Sequence, residues 1–506
     1  MKVSLSSAKI SAIKSDLLVV VTIPKELKTT KKPKALSGSI SFADLNAHLD
    51  ISLSKILKSE NFTAAADSKI FIRPTGDKNN SRLLLIGKAE KYTDNFTEIE
   101  SYRKLGASIV GLAVKMKSKK IVLSGNNLNL DKTEYFEALL EGILLAQYSY
   151  DKYKSKPKKR GSYKGIESLT IMQNKKLPAG SLTRVKAICN GTMSARDLVN
   201  MPAADCNPNY LVSFCKNLAR KKGLKIQVLD QKKLKSLKAF SILSVAVGSE
   251  KPPYIIKLTY KPKRKRSKVI SIVGKGVTFD SGGYSLKPAN GMMDMKCDMS
   301  GAAAVIGAIE AIAAIKPNHE IRAYIPTVEN MVSGNATRPG DIVKAMNGKT
   351  IEVLNTDAEG RLILADALCL AEKDGADVIV DLATLTGACL VALGSDYAAV
   401  YSTDDQIALD LKNAGEVSGE RLWHMPLAPE YKSDLNSYIA DMKNIGGSFG
   451  GSITAALFLK NFIDKTPWAH LDIAGPAFRS GGDSGYMKKG GVGFGVRTIV
   501  RYVLSY

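Results

Sequence analysis

The sequence predicts an α/β protein: a smaller N-terminal α/β domain over residues 1–175, then a larger α/β domain over residues 176–506 with a central mixed sheet flanked by helices. Three observations predict it. The chain has 506 residues, too many for one core at roughly 100–200 residues per domain. Short β-branched or leucine-rich runs alternate with helix-spaced segments. A basic, proline-containing stretch at residues 152–165 reads as an exposed boundary region.

The elements follow in order. Residues 1–15 lack acids but also lack arginine, and they run straight into a strand-like stretch; they read as a native first strand rather than a targeting segment. Residues 17–23 and 82–86 are short strands, residues 98–116 have helical spacing, residues 120–123 form another strand and residues 133–153 a second helix. After an apolar run at 169–172, Ser181–Asn200 has helical character and links the domains. Met201-Pro202 ends it, because proline forces the preceding residue out of the helical region. Residues 255–258, 269–273, 321–325, 351–354, 378–382 and 398–401 read as strands, and continuous apolar runs of this kind suit strands buried on both faces. Residues 302–315 form an alanine-rich, closely packing helix, and residues 362–371 an amphipathic one. The basic run at 261–268, between two apolar segments, reads as a hairpin tip.

The net charge of +25 comes mostly from lysine, concentrated at residues 152–164 and 261–268. Such runs bind nucleic acid or anionic surfaces. No aromatic interleaving or zinc-finger spacing accompanies them, so nucleic acid is at most a secondary partner in this reading. The six cysteines form no Cys-x-x-Cys pair and sit mostly in apolar or helical runs, as buried, reduced thiols of a cytoplasmic protein do. The four histidines are scattered without a His-Glu-x-x-His motif, so any metal is held mainly by carboxylates. No apolar stretch approaches the ~18 residues of a membrane helix, and no membrane partner is expected.

Two clusters carry the chemistry. The first follows the strand at 269–273 and supplies Lys275, Asp280, Lys287 and Asp298. It is not a phosphate-binding loop: the glycine five residues before a Gly-Lys pair is absent, and no Ser or Thr follows Lys275. The second, Asn355-Thr356-Asp357-Ala358-Glu359-Gly360-Arg361-Leu362, lies where a strand should end and a helix begin. An isolated Asp-x-Glu at a helix start is commonly a cap. Four carboxylates in one pocket are different: they repel, and burial raises their pKa values. Two divalent ions roughly 3.5–4 Å apart resolve the repulsion and generate a hydroxide near neutral pH. Lys275 beside such ions can be driven neutral and become a ligand. Lys287 and Arg361 stay cationic and suit an oxyanion or a bound anion.

Residues 275–283 and 355–362 resemble the two signature motifs of the leucine aminopeptidase (cytosol aminopeptidase) family of two-metal exopeptidases; the second motif matches without a mismatch. The likeness extends, less tightly, from about Ala195 to Gly475, and the N-terminal third resembles the family in layout only. The resemblance implies that Lys275, Asp280, Asp298, Asp357 and Glu359 are metal ligands, Asp280 and Glu359 bridging the two ions. It implies a catalytic pair: Lys287, which polarises the scissile carbonyl, and Arg361, which with Gly360 and Leu362 holds a bicarbonate acting as general base. Met295, Thr384, Gly387 and Ala474 fall where the family lines the pocket for the first substrate side chain, which Lys287 also serves, and Ala477 stands where some members carry a larger residue.

The implied activity is release of N-terminal amino acids, leucine and similar apolar residues, from peptides by a hydroxide bridging two metals. The implied ions are zinc or manganese, with cobalt or magnesium also accommodated by carboxylates. The implied assembly is a cytoplasmic homohexamer, with residues 1–175 non-catalytic and serving assembly. Two competing readings stand beside it. One is a two-metal phosphatase, which typically adds histidines. The other is a DNA-binding or structural protein on a peptidase scaffold.

Overall fold

The computed structural model describes residues 1–8, 10, 13–25, 42–49, 51–73, 82–155, 165–173, 176–264 and 267–506. Most of the basic run at 152–164, and residues 265–266 of the second run, lie outside the described residues. The chain divides into two compact units, one of Met1–Val185 with Ser484–Met487, the other of Lys186–Asp483 with Lys488–Tyr506. The division falls inside the helix Ser181–Asn200.

Among the described residues, the first unit is built on a six-stranded sheet. Its strands are β1 (Lys2–Ser6), β2 (Leu17–Thr22), β3 (Lys69–Ile72), β4 (Arg82–Gly87), β5 (Lys120–Ser124) and β6 (Ser168–Met172), in the order β1-β6-β5-β2-β4-β3. All neighbours are parallel except β3 and β4. β2, Leu-Leu-Val-Val-Val-Thr, is buried along its whole length, as a central strand covered on both faces must be. Helix α1 (Asn95–Lys115) starts where the Asp94 carboxylate accepts the Thr97 N–H at 2.6 Å. Helix α2 (Thr133–Ala146) is shorter than the predicted 133–153. The apolar spacing stops after Ala146, and the Gln147 amide folds back onto the Ile143 carbonyl. Inside this unit the Tyr486 hydroxyl donates to the Glu100 carboxylate at 2.9 Å.

The second unit begins in helix α3 (Ser181–Asn200), continues through helix α4 (Pro208–Lys222) and holds a nine-stranded sheet. Its path runs β16 (Arg421–His424), β15 (Tyr397–Ser402), β18 (Trp468–Asp472), β14 (Val378–Ala383), β9 (Val269–Gly274), β11 (Glu320–Asn330), β8 (Tyr254–Tyr260), β7 (Lys225–Leu229), and β10 (Gly276–Asp280) pairs with the far end of β11. The sheet is mixed: β11 pairs antiparallel with β8 but parallel with β9, and β14 runs parallel to both β9 and β18. The hairpin predicted at 261–268 does not form, because β11 lies between β8 and β9. β9 is buried throughout and takes parallel partners on both edges; the chain reaches the second of these, β11, through helix α5 (Ser300–Ile315), and parallel neighbours require such a crossover.

A separate three-stranded sheet, β12 (Asp341–Lys344), β13 (Thr350–Val353) and β17 (Met442–Lys443), carries the chain into the second acidic cluster. That cluster therefore does not follow a strand of the central sheet. Helix α6 (Glu359–Lys373) begins at the acid itself, and residues 359–371 are all buried, where an amphipathic pattern was expected. The core around it joins Val273, Tyr324, Leu362, Ile363, Leu368, Phe458 and Trp468. Each such large apolar side chain stabilises by roughly 1.5–3 kcal/mol. The stretch Ala289–Ile315 is long and apolar enough to cross a membrane, contrary to the composition reading, but 83% of its most apolar window is buried inside the protein.

Helix α5 abuts the sheet through a backbone contact that fixes the site. The Lys275 N–H donates to the Leu382 carbonyl at 3.0 Å, and the Ala302 N–H to the Lys275 carbonyl at 2.8 Å. A Cβ on Gly301 would lie 2.1 Å from the Leu382 carbonyl oxygen. Gly301→Val is therefore expected to destabilise the protein by about 1–3 kcal/mol, read as a lower urea midpoint with an unchanged slope; an unchanged midpoint would contradict the close approach.

Candidate active site

Lys275 sits between β9 and β10 at the carboxyl end of the central sheet, where α/β proteins bind ligands. Its ammonium lies 2.8 Å from Asp298 Oδ1 and 2.9 Å from Glu359 Oε1, and donates to the Thr384 carbonyl at 2.9 Å. Asp298 follows the short turn Met295–Cys297 just ahead of α5. Asp280 ends β10, and its Oδ1 accepts the Gly282 N–H at 2.9 Å and the Asn330 amide at 2.8 Å. Lys287 reaches Asp280 Oδ2 at 3.0 Å and Asp357 Oδ1 at 2.5 Å. One oxygen each of Asp280, Asp357 and Glu359 fall within 4.8 Å of one another. The five residues expected as ligands and Lys287 thus converge.

The two motifs are stitched together by Thr356. Its hydroxyl donates to the Gly282 carbonyl at 2.6 Å and accepts the Ser285 N–H at 2.8 Å. Asn330 adds a second tie, donating to both Asp280 and the Thr356 carbonyl. It is available because β11 runs on to residue 330, five past its predicted end.

Lysine charge does not satisfy this acid cluster. Burial first, and repulsion by Asp280, push the Glu359 carboxyl well above its usual range despite Lys275 alongside. Burial likewise lifts Asp298 to about 6 and raises Asp357. The lysines move the opposite way from a simple desolvated amine. Burial lowers Lys275, but Asp298, Glu359 and Asp280 together outweigh it and hold the ammonium charged; Lys287 is raised in the same way, against burial, by Asp280 and Asp357. Acids raised beside lysines also raised look inconsistent as ion pairs, but two cations cannot neutralise four crowded carboxylates. Geometry agrees. Asp298 Oδ2, Asp357 Oδ1 and both Glu359 oxygens are buried without a hydrogen bond; the Asp357 and Glu359 contacts to lysine are close in distance but misdirected. Unsatisfied hard oxygens in a tight group are a donor set for divalent cations.

Arg361, the third residue of α6, is buried. It donates to the Asn444 carbonyl at 2.7 Å and packs over Phe458, while its Nε has no partner. Burial lowers its pKa to about 10, opposed by Glu359 and Asp472. Gly360 faces Lys275: a Cβ there would stand 2.4 Å from Lys275 Cε and 2.6 Å from Nζ. The Leu362 side chain points into the apolar core.

Of the expected pocket residues, Thr384 touches the cluster directly, its hydroxyl donating to Asp298 at 2.8 Å. Gly387 opens a short helix, Gly387–Leu393, and Met295 opens the turn that delivers Asp298. Ala474 and the loop before Gly387 are tied to one residue missed in the sequence, Asp472. Its Oδ1 accepts the N–H of Leu385 at 3.1 Å, Thr386 at 3.4 Å and Ala474 at 3.2 Å, and its Oδ2 accepts the Thr386 hydroxyl at 2.7 Å. An acid closing an apolar strand, as Asp280 does, is the signal that marks it. Asn444, which binds Leu354, Asn355 and Arg361, carries no such signal. Of the scattered histidines, His470 is buried, 2.6 Å from Asp381. All six cysteines are buried.

Fold and donor set together define a carboxylate-rich metallohydrolase. Residues 193–500 match the catalytic-domain model of the cytosol aminopeptidase family, and residues 20–157 match its N-terminal-domain model. A probable cytosol aminopeptidase of Trichormus variabilis is 45% identical, the match covering 90% of this chain and 91% of that protein. Another, of Alkaliphilus oremlandii, is 40% identical over 100% of this chain and 99% of the relative. A solved mutant of tomato leucine aminopeptidase superposes with a TM-score of 0.87 at 34% identity, covering 100% of this chain and 97% of that one. The bottromycin maturation enzyme BotP in complex with Mn gives a TM-score of 0.82 at 31% identity, covering 97% and 99%. The chain belongs to the cytosol aminopeptidase family and is a metal-dependent aminopeptidase.

The Gly360 contact is testable. Gly360→Ala should fold normally, since a side-chain end can yield, but displace the Lys275 amine; kcat/KM on a leucine amide substrate should fall on the order of a hundredfold. Undiminished turnover with an unchanged circular dichroism spectrum would rule out a role for that amine position.

Proposed function

We propose that the enzyme releases N-terminal leucine and similar apolar residues from peptides, using two divalent ions held by Lys275, Asp280, Asp298, Asp357 and Glu359. The observation that carries this is the convergence of Asp280, Asp357 and Glu359 within 4.8 Å, with Asp357 Oδ1 and both Glu359 oxygens buried without a hydrogen bond. Zinc or manganese are the proposed ions, with cobalt or magnesium accommodated by the same oxygens. Bound there, they supply Lewis acidity, polarising a carbonyl and making water nucleophilic near neutral pH.

The chain's own residues do the rest. By the family resemblance, Asp280 and Glu359 would be the ligands shared by both ions. Lys275 is buried among acids that hold its proton, so it becomes a ligand only when cations take over their charge. Lys287 remains an ammonium on the outer side of the cluster and donates to the oxyanion forming on the scissile carbonyl. Arg361 and the N-terminal N–H groups of α6 at Gly360 and Leu362 form an anion site for bicarbonate. Held there, bicarbonate supplies the general base, a role for which the described residues offer no histidine beside the cluster. Asp472 fixes Ala474 and, through Leu385 and Thr386, the segment between Thr384 and Gly387; these three with Met295 receive the first substrate side chain, and small Ala477 leaves that pocket roomy. A cytoplasmic homohexamer, assembled with the help of residues 1–175, is the proposed working form. No observation on the described residues favours the DNA-binding or structural reading.

The test is hydrolysis of a leucine amide by metal-stripped protein with zinc or manganese added back. Glu359→Ala should lose metal-dependent turnover by at least about a thousandfold while staying folded, and calorimetric titration should show fewer bound ions. Turnover retained in that variant, purified away from host peptidases, would sink the assignment.

A further inference from the structure

Far from the acidic cluster, the second unit carries an opposite concentration of charge. A cavity of about 820 Å³ is walled by Lys349, Lys373, Lys432, Lys460 and Lys465. It lies at the carboxyl end of α6, roughly 20 Å along the helix axis from Glu359. It is therefore distinct from the metal site.

The lysines have little to neutralise them. Among the described residues, none of the five lies within ion-pairing distance of a carboxylate. Lys349 donates to the Asn461 carbonyl at 3.1 Å and Lys460 to the Ile463 carbonyl at 3.1 Å, so two of the amines are fixed on one turn. The acids in the wall are Glu372 and Asp464. Glu372 gives its oxygens to the backbone N–H groups of Asp464, Lys465 and Thr466 at 2.8, 2.9 and 3.0 Å. It builds the turn rather than pairing with the lysines, which leaves five lysines lining one hollow with Asp464 in its wall and Asp441 acting on Lys349 from outside it. Like charges so arranged repel, and a ligand carrying several negative charges relieves that repulsion.

We infer that this cavity binds a small, multiply charged phosphorylated molecule of nucleotide size. The volume falls within the ~300–1,000 Å³ of small-molecule sites. A hollow lined by five lysines suits a compact polyphosphate, whereas duplex DNA wants an extended basic face or stripe.

The test is calorimetric titration of the full-length, metal-loaded enzyme with inorganic tripolyphosphate, and separately with a nucleoside triphosphate. The first asks whether the phosphates suffice, the second whether a base and sugar add affinity. Binding at one site per chain, weakening as salt rises, is expected for either probe. The variant Lys373→Gln/Lys432→Gln/Lys465→Gln should bind at least about tenfold more weakly. The control Lys55→Gln/Lys216→Gln/Lys221→Gln removes the same charge from exposed positions elsewhere and should bind as the parent does. Leucine amide hydrolysis should persist in both, showing that they fold. Equal weakening in the two variants would reduce the effect to diffuse electrostatics. Undiminished binding in the first would place the phosphates elsewhere, at the metals for instance. No binding, or duplex DNA binding abolished by the same three substitutions, would equally overturn the inference.

Discussion

Crowded negative charge at the end of a buried sheet is the constraint on which the rest of this structure depends. Asp280, Asp298, Asp357 and Glu359 stand in low-dielectric surroundings, ion-paired among the described residues with Lys275 and Lys287. Carboxylates so placed would protonate or separate unless the backbone pins them. Removing one partner of a buried ion pair costs about 3–5 kcal/mol, because it leaves a charge unpaired. The arrangement therefore survives only on rigid supports, and the fold supplies these through short strands, a glycine-mediated helix–sheet contact and side-chain ties between loops.

Those supports share a plan. Three of the acids sit at termini: Asp280 at the end of a strand, Glu359 at the start of a helix, Asp298 just after the turn that precedes another helix. Termini bring polar backbone groups that interiors would leave unsatisfied. Behind them Thr356, Asn330, Asn444 and Asp472 use nearly all their hydrogen-bonding capacity to lock one loop to the next. None of these four belongs to the proposed ligand set, yet each fixes a residue of the proposed site. The apolar core under α6 then holds the platform still. A helix buried on every face along residues 359–371 has little freedom to shift the acid at its head.

Charge is distributed with the same economy at larger scale. Acids gather where metal ions are proposed to sit, and much of the lysine excess gathers at surfaces away from them. The overall charge of +25 is thus not a property of the reaction centre, whose own balance is negative.

The sequence by itself determined the element types and the chemistry. Ser181–Asn200 was readable as a helix from its spacing and the Met-Pro stop, and the buried strands from their unbroken apolar runs, because these signals are local. The proposed ligand set could be named from two segments, Lys275 to Asp298 and Asn355 to Leu362, the second of which packs two acids and an arginine close together. What tertiary structure alone decided was adjacency. Nothing local says that β11 enters between β8 and β9, that β13 leaves the central sheet, or that α6 is covered on all sides, since strand order depends on which distant edges are free to pair. The roles of Asn330, Asn444 and Asp472 were hidden for the same reason. A single polar residue in a sequence has no visible partner, and its meaning appears only when the fold brings one within 3 Å or so.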